Sequence, residues 1–366
     1  MRCLYPRTVG FASDGKTLSW SQKTFSKEYS TFQLPCGKCI ECRLEYARQW
    51  AVRCVHEAQM HENNSFITLT YSDESLSSDK LYYDEFRKFI GRLRDKIFRE
   101  TVGKNFGPGH WSSLSKSQKK QFRKDNKELL EETQIAVFVT GEYGEKTKRP
   151  HWHALIFNWK PNDCKYQYSN ERGDRIYSSR TLGPFTPDEV AKCKSWEERP
   201  LWKNGKCELG AVTFESAGYV ARYAAKKLVH GKDDEHEYQP ISKKSSKHAI
   251  GKRWLEKFWE DIFRRGECMI LNSNGETQKV PIPRYYIKWL EKNKPNEWIK
   301  YMTKTKLKKE REARARTEHQ TNKYHLENDK RKYRHGRGNL ITNQEIKIKT
   351  SEEKFKRLMQ YRKENI

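Results

Sequence analysis

Two hydrophobic rhythms alternate along this chain, and the switches between them predict its elements. Leu44, Ala47, Trp50, Ala51, Cys54, Val55 and Ala58 make an apolar stripe at helical spacing, which predicts a helix from Leu44 to Met60. The next segment, NSFITLTY from Asn64 to Tyr71, has β-rich composition and reads as a strand. DEFRKFIGRLRDKIF, from Asp84 to Phe98, returns to helical spacing with an acidic start and a basic later face. A polar stretch from Gly103 to Leu130, ending in a lysine-rich run, reads as a loop or an inserted helix. Core signal resumes with QIAVFVT (Gln134 to Thr140), a polar turn, and HALIF (His153 to Phe157): strand, turn, strand.

Residues 158–210 alternate polar loops with Tyr and Trp and read as a long connection or insertion. AVTF, Ala211 to Phe214, reads as a further strand, and a helix is expected to begin near Gly218. Beyond it, WLEKFW (Trp254 to Trp259) predicts a packed helix, and PIPRYYIKWL (Pro281 to Leu290) carries an aromatic anchor. The fold class is therefore α+β, a central antiparallel β-sheet with helices expected on one face to bury its apolar side chains. A cysteine-rich N-terminal subdomain and a basic helical C-terminal extension complete it. The expected segments are 1–60, 61–230, 231–300 and 301–366.

Charge narrows the partner. Among 366 residues, 74 Lys and Arg face 48 Asp and Glu, a formal charge of +26, which favours a polyanion through counterion release and steering. The stretch 301–366 alone holds 20 basic and 9 acidic residues, and is expected to stay mobile until it meets DNA or another partner. The start, MRCLYP, lacks a secretion segment, and no apolar run reaches membrane-spanning length, so a cytoplasmic protein with no membrane partner is expected. Nine cysteines, an odd number, argue against a secreted disulfide framework.

Three groupings carry chemistry. His151 and His153 are two apart, so a strand points both imidazoles to one side and Trp152 to the other. Imidazoles ligate divalent metals, and a carboxylate balances the charge: Glu142 in GEYGE (Gly141 to Glu145) is the first candidate and Glu145 the alternative. Mg²⁺ or Mn²⁺ suits phosphate chemistry because open coordination positions are needed, and two imidazoles make Mn²⁺ the more comfortable ion. Tyr219 and Tyr223 lie one helical turn apart and can face one groove, with Arg222, Lys226 and Lys227 nearby to place phosphates. Cys36, Cys39 and Cys42 recur every three residues and, with Cys3 as a fourth sulfur, suit a structural Zn²⁺ site. Reduced structural cysteines and an iron–sulfur site are the other readings of that cluster.

FITLTY (Phe66 to Tyr71), RPHWHALIF (Arg149 to Phe157) and GYVARYAAKK (Gly218 to Lys227) resemble, in this order, the three motifs of rolling-circle replication initiators, the His-hydrophobic-His endonucleases. With PCGKCIECR (Pro35 to Arg43) near the start, the pattern is similar to that of initiators from small single-stranded-DNA phages, the microviruses related to those infecting Chlamydia. The resemblance implies a central antiparallel sheet on which His151 and His153 hold the cation, and it makes Tyr219 and Tyr223 paired nucleophiles. One would nick the viral plus strand, stay on its 5′ end and release a 3′ hydroxyl for host polymerase; the other would help terminate and circularise the displaced strand. Implied partners are single-stranded origin DNA, host helicase and DNA polymerase, and phage assembly proteins, in the host cell cytoplasm. The chain has no G-x-x-x-x-G-K-[ST] run, so unwinding falls to a partner. A mobilisation relaxase or related transposase, and a non-enzymatic basic nucleic-acid-binding protein, are the competing readings.

Overall fold

The computed structural model describes residues 3–76, 80–144, 147–171, 173–195, 198–226, 241–245, 249–271, 275–313 and 315–316, with residues 187 and 223–226 described by their backbone alone. In chain order the elements are β1 (Arg7–Phe11), β2 (Leu18–Ser19), β3 (Phe32–Leu34), α1 (Ile40–Ala58), β4 (Asn64–Leu69), α2 (Tyr83–Phe106), α3 (His110–Ser113), α4 (Lys116–Asp125) and α5 (Lys127–Glu132). There follow β5 (Ala136–Tyr143), β6 (Pro150–Phe157), β7 (Cys164–Ser169), β8 (Arg175–Ser179), α6 (Pro187–Lys192), β9 (Cys207–Gly210), α7 (Phe214–Lys226) and β10 (Ile241–Lys244). The last are α8 (Lys252–Arg265), β11 (Cys268–Leu271), β12 (Thr277–Val280), α9 (Arg284–Asn293) and α10 (Pro295–Lys300), which runs on into a π-helical turn, Tyr301–Lys306.

Two compact units result. The larger comprises Trp50–Phe258 and Met269–Gln278 and is built on a seven-stranded sheet in the order β10-β5-β6-β4-β9-β8-β7. Its pairings are antiparallel. One face packs on α2: Ile67, Leu69, Val137, Val139, Trp152, Ala154 and Ile156 meet Phe86, Phe89, Ile90 and Leu93 in one buried cluster. The opposite face meets α7 at β5 and β6, and Trp50 of α1 packs on Phe138 with ring centroids 5.3 Å apart. Helices thus cover both faces, where one was expected. This is why QIAVFVT reads as continuous apolar sequence: every residue of β5 is buried, whichever way it points.

The other expectations shift at element ends. The helix expected from Leu44 starts four residues earlier, at Ile40, because the Arg43 N–H already bonds to the Cys39 carbonyl. AVTF is not a strand: the strand is Cys207–Gly210, and the helix expected near Gly218 begins at Phe214. A reciprocal cap causes this, with the Ser216 N–H donating to Thr213 Oγ1 at 3.1 Å and the Thr213 N–H to Ser216 Oγ at 2.8 Å. The polar region 103–130 holds the end of α2 and three short helices, with Phe106 and Trp111 packed on the buried Phe122. Residues 158–210 contain the hairpin β7–β8, which extends the sheet.

The smaller unit comprises the described residues of Met1–Gln49, Trp259–Cys268 and Lys279–Ile366. Its N-terminal part is the three-stranded sheet β2-β1-β3, and its C-terminal helices are rich in lysine and arginine. Within it, Tyr301 packs edge-on against Phe263 at 5.0 Å, and Lys309 Nζ reaches Glu267 Oε2 at 2.5 Å. No helix among the described residues is long and apolar enough to cross a membrane. Most of 301–366, expected to be mobile, lies outside the described residues.

Candidate metal centre and nucleophile

Strand register assembles the site. Glu142 of β5 stands directly opposite His151 of β6, Thr140 stands opposite His153, and on the other side of β6 Thr68 of β4 stands opposite His153. Side chains alternate, so Glu142, His151, His153 and Thr68 share one face while Trp152 enters the α2 core, fully buried. Glu142 therefore sits in the strand and not in the turn that follows it. The Glu145 alternative lies outside the described residues.

Three ligand atoms converge here. Glu142 Oε1 is 3.1 Å from His153 Nε2 and 3.8 Å from His151 Nε2, and one ligand atom from each residue falls within 4.8 Å of the other two. Glu142 is 3% exposed, and its Oε1 accepts no well-directed hydrogen bond although imidazole nitrogens lie close by. Contact distance without hydrogen-bond angle is what a shared cation between the groups would produce, because ligands aim their lone pairs at the ion and not at one another. The donor set of two imidazoles and one carboxylate could hold a divalent metal ion.

Neighbouring groups fix the imidazoles. His151 Nδ1 lies 3.1 Å from the Arg149 carbonyl oxygen. A carbonyl only accepts, so Nδ1 carries the proton and Nε2 keeps its lone pair. Burial first, then the adjacent His153, lowers the pKa of His151 from the ordinary histidine range, which favours the neutral, ligating form. His153 Nδ1 lies 3.0 Å from Thr68 Oγ1, and Phe66 stacks on the His153 ring at 5.8 Å. Thr68 is the site residue that the sequence reading passed over. Its signal is there in FITLT, where Phe66 and Thr68 alternate with the core residues Ile67 and Leu69.

Tyr219 is the one nucleophile candidate whose side chain is described. It projects from α7 so that Oη lies 3.2 Å from His153 Nε2, with the two rings perpendicular at 4.9 Å. Phe66 holds its other side, edge-on at 6.3 Å. The residue before it, Gly218, leaves room for α1: a Cβ there would lie 3.9 Å from Ala51 Cβ. Tyr223 and Lys226 follow on α7 and are described by backbone only; Lys227 lies outside the described residues.

Cys3, Cys36, Cys39 and Cys42 form a second convergent set in the smaller unit, with all four sulfurs within 4.8 Å of one another. The Cys36–Cys42 and Cys39–Cys3 sulfur pairs are each 3.9 Å apart, far beyond a disulfide bond. A tetrahedral ion with metal–sulfur bonds of about 2.3 Å requires sulfurs roughly 3.8 Å apart. That spacing admits a single ion and leaves no space for the inorganic core of an iron–sulfur cluster. Backbone N–H groups point at the sulfurs, from Cys39 to Cys36 at 3.3 Å and from Cys36 to Cys3 at 3.2 Å. Burial opposes ionisation of Cys36, but the Cys39 and Lys38 N–H donors and the neighbouring thiols outweigh it and bring the thiol down to about 6. The four sulfurs could hold one metal ion, which a small N-terminal subdomain with a limited core would use for stability.

Comparison with known proteins agrees with the geometry. The family model for replication-associated protein ORF2 matches residues 100–228, from the end of α2 through α7, and so takes in both metal-facing strands. The chain is 40% identical to replication-associated protein VP4 of Bdellovibrio phage phiMH2K, over 98% of its own length and 99% of that protein. It is 27% identical to replication-associated protein ORF2 of Spiroplasma virus 4, over 86% and 87%. It is 30% identical to replication-associated protein ORF4 of Chlamydia phage 1, over 73% of this chain and 55% of that one. No solved structure matches the chain.

Proposed function

The chain belongs to the phage replication-associated proteins, and from that membership together with the geometry at Glu142, His151, His153 and Tyr219 we propose that it nicks and rejoins single-stranded DNA at a viral replication origin. Family and cluster together support a replication-initiator type of nuclease. The observation that carries the finer reading is the phenol of Tyr219, 3.2 Å from a metal-facing nitrogen.

Glu142, His151 and His153 would hold Mg²⁺ or Mn²⁺, which when bound supplies Lewis-acid polarisation of the scissile phosphate and neutralises its charge. Tyr219 Oη then forms a bond to phosphorus while the bond from phosphorus to the 3′ oxygen breaks. The tyrosine loses a proton and the departing 3′ oxygen gains one, so the products are a 5′-phosphotyrosine and a 3′ hydroxyl. One phosphodiester replaces another, and attack by a 3′ hydroxyl on the phosphotyrosine reverses the step and joins strands. Tyr223, one turn further along α7, is the proposed second nucleophile for termination, and Lys226 or Lys227 the proposed phosphate-placing cation. Host polymerase would extend the 3′ hydroxyl and a host helicase would unwind, in the host cytoplasm. The tetrahedral sulfur set is proposed to hold structural Zn²⁺.

The test is single-stranded phage origin DNA incubated with the protein and Mn²⁺, then denatured, with the adduct mapped by mass spectrometry. An adduct on Tyr219 or Tyr223 is expected. Undiminished cleavage after Tyr219→Phe combined with Tyr223→Phe would overturn the reading.

A further inference from the structure

A cavity of about 720 Å³ lies within the larger unit, between α2, α4, the start of β5 and the edge strand β10. Its floor includes Phe86, Ile90, Val137 and Val139, so it opens on the sheet face opposite Glu142 and the histidines. The volume falls in the range of ligand sites. Its rim is cationic: Arg87, Arg94, Arg123, Lys243 and Lys244 against the single carboxylate of Asp95. Among the described residues no carboxylate pairs with Arg94, Arg123 or Lys243. Cations gathered with so little counter-charge around a concavity repel one another, and an anionic ligand relieves that cost.

Two further features point to an extended ligand with flat groups. Arg87, Gly91, Arg94 and Phe98 recur at i, i+4, i+7 and i+11, a single stripe of α2 facing the cavity. Gly91 stands in the interior of a 24-residue helix, where glycine is costly, and a Cβ built on it meets nothing within 4 Å. The stripe is therefore bare at its centre without any packing reason. Aromatic faces lie at both ends, Tyr83 beneath Lys243 at 5.7 Å and Phe98 beneath Arg123 at 5.5 Å. Cations alternating with rings along a groove are the chemistry that holds a single strand, phosphates on the charges and bases on the rings.

The edge strand links the two faces. Lys243 pairs in register with Val139, which faces α2, and Lys244 with Phe138, which faces α1. Lys243 accordingly lies over Tyr83, and Lys244 over Trp50 at 4.1 Å, so adjacent residues present cations on opposite sides of one edge. We propose that this groove is a second single-stranded-DNA contact, which holds strand flanking the cleaved phosphodiester and receives it around the β10 edge. The inference rests on the nicking function proposed above, and its test separates the two.

Binding of fluorescein-labelled oligothymidylate of roughly 30 nucleotides, long enough to cover such a site, is measured by anisotropy across a salt series. Arg94→Gln with Arg123→Gln is expected to weaken binding about tenfold at low salt and to reduce the slope of log affinity against log salt by about 1.4, the loss of two phosphate contacts. Gly91→Leu fills the stripe without touching a neighbour and is expected to weaken binding similarly with the slope less changed. Tyrosine adduct formation on a short oligonucleotide spanning the cleavage site alone should persist in both variants. Loss of that adduct in the native protein as well would indict the nicking mechanism and leave the groove result standing. Unchanged oligothymidylate affinity and slope in both variants would overturn the groove, as would a loss confined to oligouridylate, which would assign the site to RNA.

Discussion

Tyr219 Oη and His153 Nε2 stand 3.2 Å apart, and a nitrogen has one lone pair to give. With Nδ1 held by Thr68, that lone pair serves either the tyrosine hydroxyl or a cation. Metal loading is therefore expected to release the Tyr219 hydroxyl from His153. The phenol's ultraviolet difference spectrum or a site-specific NMR label at Tyr219 should change on adding Mg²⁺, and a signal indifferent to metal would refute the exclusion. Tyr219→Phe should retain metal and, if Tyr219 attacks first, lose cleavage by at least about 10³-fold.

Thr68 orients His153 through Nδ1, as partners behind a ligand commonly do. Thr68→Val keeps the shape and removes the hydroxyl, and is expected to weaken Mn²⁺ binding about 10–100-fold. Titration calorimetry checks it, with Thr70→Val as control because Thr70 Oγ1 bonds instead to the Lys206 carbonyl. Equal affinities in the two variants would remove Thr68 from the site.

Zinc is the expected occupant of the cysteine set. Elemental analysis of the purified protein should find about one zinc per chain. Cys39→Ser should lose it, and the melting temperature should fall on chelation. Full occupancy in Cys39→Ser would argue against the four-sulfur site.

His56 supplies a pH test away from the metal. It is fully buried, its ring stacked on Trp254 with centroids 3.5 Å apart at 8°. Burial pushes its pKa down from 6.5 to about 3. Between those values the unfolded chain binds a proton that the folded chain refuses, so this contribution is complete above about pH 6.5 and is lost as the pH falls towards 3. Below pH 6 the slope approaches about 1.4 kcal/mol per pH unit. Urea unfolding of the native protein and of His56→Phe between pH 7 and about 5 should show a shallower decline in the variant; parallel declines would refute the assignment.

Gly141 couples core and site. It faces Trp152 across the β5–β6 register, and a Cβ there would meet the indole at 2.6 Å. Since Glu142 is the next residue, Gly141→Ala is expected to cost about 1–3 kcal/mol and to lower metal affinity as β5 shifts. Denaturation midpoint and Mn²⁺ titration measure the two, and neither changing would show that the strand absorbs the methyl group.

The local chemistry was legible because it depends on short spacing. His151 and His153 could be assigned to one side of a strand, and Cys36, Cys39 and Cys42 to one cluster, because strand pleat and tight turns act over a few residues. Trp152 entering the opposite layer followed from the same alternation and is what the structure shows. The ends of elements were less legible, since caps such as Thr213 with Ser216 act through side-chain bonds that periodicity does not register.

The sequence by itself determined the α+β class, the apolar strands at the centre, the family likeness and the residue types able to hold metal and attack phosphate. Only the tertiary structure decided that Glu142 lies in strand register with His151, that Thr68 comes from 85 residues away to hold His153, and that helices cover both sheet faces. The physical reason is the range of the interaction. Pleat and helical turn are set by neighbours along the chain, whereas strand register and helix placement are set by the burial of Trp152, Phe138 and their partners from distant segments, which become neighbours only on folding.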